Sequence, residues 1–201
     1  MHRDFMNLTL STRRLQTKHM TIGSPPLRPQ NAPQRRNVQD ADRDFLVELY
    51  RTTHRVSHEA LSHLPQDAAR ALLAMQLHAQ AASYRQRFPG VVFHIVCDHQ
   101  GRPAGRLTVA RTDTDLHLLD IGLLPEYRGQ GLGTALIETL QREAAASGIP
   151  LQLKVMRGNR ARQLYQRMGF VVSAEYELDL GMTWVPSMAV TTQSITSTRG
   201  A

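Results

Sequence analysis

In LLPEYRGQGLGTALIETL, residues 123–140, three glycines at alternate positions stand where an apolar run ends and an apolar, helix-like segment begins. Gly129, Gly131 and Gly133 each weaken a helix start by roughly 1 kcal/mol relative to alanine. A chain that tolerates this needs bare backbone at that point. The ligand that needs it is an anion, which approaches unpaired N–H groups at the positive end of a helix. A merely tight turn needs only two glycines. The spacing is G-x-G-x-G with Thr134 where a dinucleotide fingerprint carries its third glycine, and the Gly-Lys-Ser/Thr of a Walker loop is absent. What remains is a strand–turn–helix junction shaped for a pyrophosphate, with Arg128 adding charge at its rim.

The surrounding periodicities supply the strand and the helix. DADRDFLVELYRTTH has an acidic start and apolar Phe45, Leu46, Leu49 and Tyr50 at helical spacing. A second helix is predicted from about Gln66 to Arg87, its Leu72, Leu73, Met75, Leu77 and Ala79 largely core, stopped by Phe88-Pro89-Gly90. Extended pieces are then expected at 91–98, 104–111 and 116–125, the last mostly apolar and therefore central. Leu132, Leu136, Leu140 and Ala144 mark one face of the helix after the glycines. LQLKV alternates as a strand, NRARQLYQRMGF follows as a short helix capped by Asn159, and two final strands are expected within 171–185. Upstream, Pro26–Pro29 reads as a short extended piece and the stretch to Val38 as a loop. An antiparallel meander feeding one strand–helix–strand unit is a mixed α/β layer with a largely antiparallel sheet and flanking helices.

Composition narrows the function classes. Hydrophobic residues make up 41% and charged residues 20% of 201, with no apolar run of membrane-spanning length. Of the formal net charge of +7, more than half lies in 1–23 and 187–201, so the body is only mildly basic. With no aromatic-rich basic stripe, a nucleic-acid partner is not expected. The single Cys97 excludes an internal disulfide and suits a reducing, cytoplasmic setting. Residues 1–23 read as a disordered extension, with a transit peptide as the alternative, and 187–201 as a disordered Ser/Thr-rich tail, leaving 24–186 as the domain.

At this point the chain resembles the GCN5-related N-acetyltransferase (GNAT) superfamily. Arg128-Gly129-Gln130-Gly131-Leu132-Gly133 is similar to its R/Q-x-x-G-x-G/A acyl-CoA signature, and Asn159–Phe170 to its second segment, which ends A-x-x-L/F-Y-x-x-x-G-F as Ala161–Phe170 does. The resemblance covers about 27–186. It implies a fold with splayed central strands, 116–124 and 151–155, and acetyl-CoA as cofactor with no metal. The pantetheine would pair with strand backbone at Leu123 and Leu124, and the pyrophosphate would sit on Arg128, Gly129, Gln130, Gly131, Leu132, Gly133 and Thr134. It also implies direct acetyl transfer to a primary amine of a small molecule or peptide in a ternary complex, by a monomer or homodimer. A non-catalytic acyl-CoA sensor of the same fold is the alternative.

Acetyl transfer from a thioester needs a base for the amine, a donor for the oxyanion and an acid for the thiolate. The resemblance makes Tyr165 the acid and puts Asn159 near the pantetheine, although Asn159 also suits a helix cap. For the base, Asp120 is the one carboxylate inside an apolar strand, and an unpaired buried carboxylate is expensive. It needs either a job or a partner such as Arg106. His117 is the rival base. Gln76, Gln80 and Tyr84 recur at i+4 on the second helix. The resemblance makes that stripe a wall of the acceptor site, and a solvated polar face is the plainer reading.

Overall fold

The computed structural model describes residues 33–53 and 61–187. The expected extended piece at Pro26–Pro29 and both tails beyond these limits lie outside the described residues. Within them run β1 (Gln34–Asn37), α1 (Arg43–Thr53), α2 (Gln66–Arg87), β2 (Val91–Cys97), β3 (Pro103–Arg111), β4 (Leu116–Leu123), α3 (Leu132–Ser147), β5 (Leu151–Met156), α4 (Ala161–Arg167), β6 (Val171–Glu175) and β7 (Asp179–Trp184). The seven strands form one sheet in the order β1-β2-β3-β4-β5-β7-β6. Every pairing is antiparallel except β4 with β5.

That one parallel contact positions the site. It joins only Leu116–Leu118 to Leu151–Leu153, after which the two strands part. On the β3 side, β4 carries a bulge, since Thr108 faces Asp120 while Val109 faces Leu118, leaving Leu119 as the extra residue. A bulge re-aims side chains and bends the strand locally. Here it sits where β4 leaves β5.

The main core lies between the sheet and α3 and α4, where Leu107, Val109, Leu118, Leu136, Ile137, Leu140 and Leu153 are buried together. Their spacing is that of alternate strand positions and one helix stripe. A smaller cluster of Val47, Tyr50 and Leu73 joins α1 to α2. α1 lies directly on β4, so close that a Cβ on Gly122 would stand 3.0 Å from the Thr53 methyl group.

Two expectations are corrected. The stretch before Val38 is a strand, because its backbone pairs with β2 over four residues. Arg36 in that strand makes a two-pronged ion pair with buried Asp42, at 2.6 and 2.7 Å, which fixes the start of α1. On α2 only Leu73 is fully buried, while Met75 is 62% exposed. This helix rests on α1 along one narrow stripe, so its remaining apolar positions face outward or line cavities.

Candidate active site

The glycine segment begins where β4 ends. After a single 3-10 turn at Pro125–Tyr127, Gly129 and Gly131 adopt left-handed φ values of 72° and 81°, and Gly131 is the N-cap of α3. Only glycine takes this region without strain. No atom lies within 4 Å of where a Cβ would stand on either residue. The turn is thus required by backbone conformation and opens onto free space. The first-turn N–H groups of α3, from Leu132, Gly133 and Thr134, have no partner within the helix. Bare backbone, directed donors and a positive helix end fit a diphosphate.

Gly131→Val is expected to weaken acetyl-CoA binding by at least tenfold, about 1.4 kcal/mol, while the melting transition stays cooperative. A β-branched residue would have to leave the left-handed conformation and move the donors with it. Calorimetric titration with unchanged affinity would reduce the segment to a turn.

The loop is braced from two directions. Arg128 does not point outward as a rim charge. Its guanidinium turns back, Nε donating to the Leu123 carbonyl at 2.8 Å and Nη2 to the Thr52 carbonyl at 3.1 Å. It therefore ties the loop to the end of β4 and the last turn of α1. Gln130 likewise folds back onto the Glu126 carbonyl. On the other side, buried Asp98 in the β2–β3 turn accepts from the Gln100 and Arg102 N–H groups, from Arg102 Nε and from the Tyr127 hydroxyl. Burial pushes its carboxyl up, but these donors outweigh it and hold the group well below the usual carboxylate range. Leu124 donates its N–H to the Ala104 carbonyl.

Where β4 and β5 part, a cavity of about 590 Å³ opens, lined among others by Gln80, Tyr84, His117, Asp120, Asn159 and Tyr165. These residues, carried by α2, β4, α4 and the loop before α4, converge here. Gln76 does not line this cavity, and its buried Oε1 has no hydrogen-bond partner among the described residues. Tyr165 is buried, its ring edge-on to Phe170 at 5.8 Å between centroids. Its hydroxyl has no protein partner among the described residues. Burial, with the Asp120 charge added, pushes its pKa up to about 12, so the phenol holds its proton at every physiological pH. Asn159 lines the cavity and accepts the Ala161 N–H at 2.9 Å, but it stands one residue before the N-cap of α4, which is Arg160 rather than the expected Asn159.

The two candidate bases differ in their surroundings. Asp120 forms an ion pair with Arg106, which is itself 5% exposed. Arg106 also donates to Gln80 Oε1 at 2.9 Å and lies over the Tyr50 ring. The carboxylate thus has the partner that its burial demands. His117 is half-buried against Phe88, ring centroids 5.0 Å apart. Burial lowers its pKa, the Asp115 charge opposing only in part, so at neutral pH the imidazole is free to accept a proton. Tyr84 donates to the carbonyl of the bulged Leu119 at 3.1 Å, and burial raises its pKa to about 12. Its hydroxyl therefore fixes the bulge, and its ring is what faces the cavity.

Several lining residues were not foreseen, namely Arg87, Phe88, Gln152, Lys154, Tyr176 and Asp179. Phe88 had signalled only a helix stop. Alternation in LQLKVM puts Gln152 and Lys154 on one face, and that was the available clue.

The family model for the acetyltransferase (GNAT) domain matches residues 60–191. Among solved structures, the PaiA N-acetyltransferase of Thermoplasma acidophilum in complex with coenzyme A superposes with a TM-score of 0.56 at 18% identity, covering 76% of this chain and 98% of that one. A histone acetyltransferase HPA2-related acetyltransferase from Corynebacterium glutamicum gives 0.56 at 20% identity, with 79% and 99% covered. The ribosomal-protein-S18-alanine N-acetyltransferase of Escherichia coli gives 0.54 at 19%, with 80% and 97% covered. At these identities the structures share the fold.

Proposed function

The chain belongs to the GNAT acetyltransferase family, and from that premise we propose that it transfers the acetyl group of acetyl-CoA to a primary amine of a small molecule or peptide within a ternary complex. The observation that carries this reading is the convergence of a neutral imidazole and a high-pKa phenol on one cavity, at the mouth of a strand splay that leads to the glycine turn. A coenzyme with its diphosphate on 128–134 and its pantetheine along β4 would bring its thioester to that cavity. Acetyl-CoA supplies the activated acyl group. The chain's own residues orient it and move protons.

In this reading the amine nitrogen attacks the thioester carbonyl. The N–C bond forms, the C–S bond breaks, and the excess proton on nitrogen passes to the His117 imidazole, directly or through water. Tyr165 gives its phenolic proton to the departing sulfur and regains one from solvent. Tyr84, by holding the Leu119 carbonyl, fixes the β4 bulge that lines the cavity. Asp120 itself serves as the counter-charge that keeps Arg106 in place, and the base role passes to His117.

His117→Gln tests the assignment. The expected result is a loss of about 10²-fold or more in turnover with acetyl-CoA affinity unchanged, within the range for a positioned base. In the parent enzyme, activity should fall as the pH drops through the His117 pKa, below the ordinary histidine value of about 6.5, because protonation removes the acceptor. The variant should lose that acid limb. A variant that retains both its rate and the limb removes His117 from the mechanism.

A further inference from the structure

The charges around the acceptor end of the cavity are unequal, and the inequality identifies a substrate class. Lys154 projects from β5 opposite Gly181 of β7, so no side chain faces it across the strand pair. Its ammonium rests 4.0 Å from the centroid of the Tyr176 ring, which holds it at the cavity wall. Arg87 ends α2 and lines the same cavity, its guanidinium 5.9 Å from the Phe88 ring centroid. No ion pair engages either cation among the described residues. The cavity has two carboxylates. Asp120 is neutralised by the buried Arg106, which leaves Asp179 against two cations.

We propose that the acceptor is an amine that also carries a carboxylate, an amino acid or short peptide, with its amine at His117 and Tyr165 and its carboxylate held by Arg87 and Lys154. The inference rests on the acetyl-transfer reading above and names its substrate. The surplus of one positive charge matches a monoanion. A phosphorylated acceptor over-neutralises it, and a polyamine adds to it. The aromatic walls, Tyr84, Phe88 and Tyr176, suit an apolar side chain between the two ends. Arginine and lysine on aromatic faces are also well placed for this role, since stacking restrains their stems while the charge stays available.

The test uses the full chain, acetyl-CoA and matched acceptor pairs, with thiol release as the readout. The pairs are phenylalanine and leucine against their primary amides, the dipeptide Phe-Ala against its amide, and spermidine as the polyamine. At least one acid is expected to exceed its amide by tenfold or more in kcat/KM, the difference residing in KM. Arg87→Ala and Lys154→Ala, each checked by melting, should shrink that acid-to-amide ratio by threefold or more. Acids and amides used equally, or spermidine preferred to every acid, overturn the proposal while leaving acetyl transfer standing. If acetyl-CoA binds by calorimetry and none of these amines releases thiol, the acetyl-transfer reading falls and the proposal falls with it.

Discussion

Replacing Tyr165 by phenylalanine should slow acetyl transfer by roughly 10²-fold, in the range for a positioned general acid, while leaving acetyl-CoA affinity and melting temperature nearly unchanged. The substitution removes one oxygen from a hydroxyl that makes no protein hydrogen bond among the described residues. The ring, with its edge-on contact to Phe170, remains. No buried partner is left unsatisfied, so a large stability change has no source. A thiolate leaves without help more readily than an amine, free thiols having a pKa of about 8.5, and this sets the effect at the lower end of the acid–base range. Single-turnover acetyl transfer at several pH values measures it. A change under about threefold throughout would make Tyr165 a packing residue only.

Asp120→Asn should act in the opposite way, on stability more than on chemistry. It leaves the Arg106 guanidinium buried beside a neutral amide, and removing one partner of a buried ion pair costs about 3 kcal/mol or more. For a domain of this size that is a fall of several degrees or more in melting temperature. Gln80, which accepts from the same guanidinium, should shift with it and loosen the cavity wall. Activity per folded molecule is expected to stay within about threefold. If instead the melting temperature holds and turnover collapses, Asp120 is the base and His117 is not.

The contrast between these two residues shows what the sequence could carry. The glycine turn was readable because left-handed backbone has a local signature, and the helix and strands on either side of it have clear periods. β1 was not readable, since nothing in PQRRNV announces a strand. Its state comes from pairing with β2, sixty residues away in sequence. The exposure of Met75 and Ala79 on α2 was hidden for a related reason, because an apolar spacing gives a stripe but not what covers it. In the site, Tyr165, Asn159 and the loop came from motif resemblance. His117 and Asp120 could be named as polar residues in an apolar strand, but only the fold shows which of them has a buried cation. Gln76 follows the same i+4 spacing as Gln80 and Tyr84 yet misses the cavity. Lys154 and Asp179 reach it through the β5–β7 register, which no local pattern encodes.

The three-residue ladder between β4 and β5 has a thermodynamic meaning as well as a geometric one. Two half-sheets, β1–β4 and β5–β7–β6, share a single sheet through Leu116–Leu118 and Leu151–Leu153. Beyond that seam, no strand among the described residues lies between the facing edges of β4 and β5. A coenzyme arm laid along β4 would act as a removable eighth strand, present only when the metabolite is. Binding only the folded chain, it would raise the free energy of unfolding by about 2.7 kcal/mol at a hundred times its dissociation constant. The resistance of this protein to unfolding and proteolysis would then follow the acyl-CoA supply of the cell.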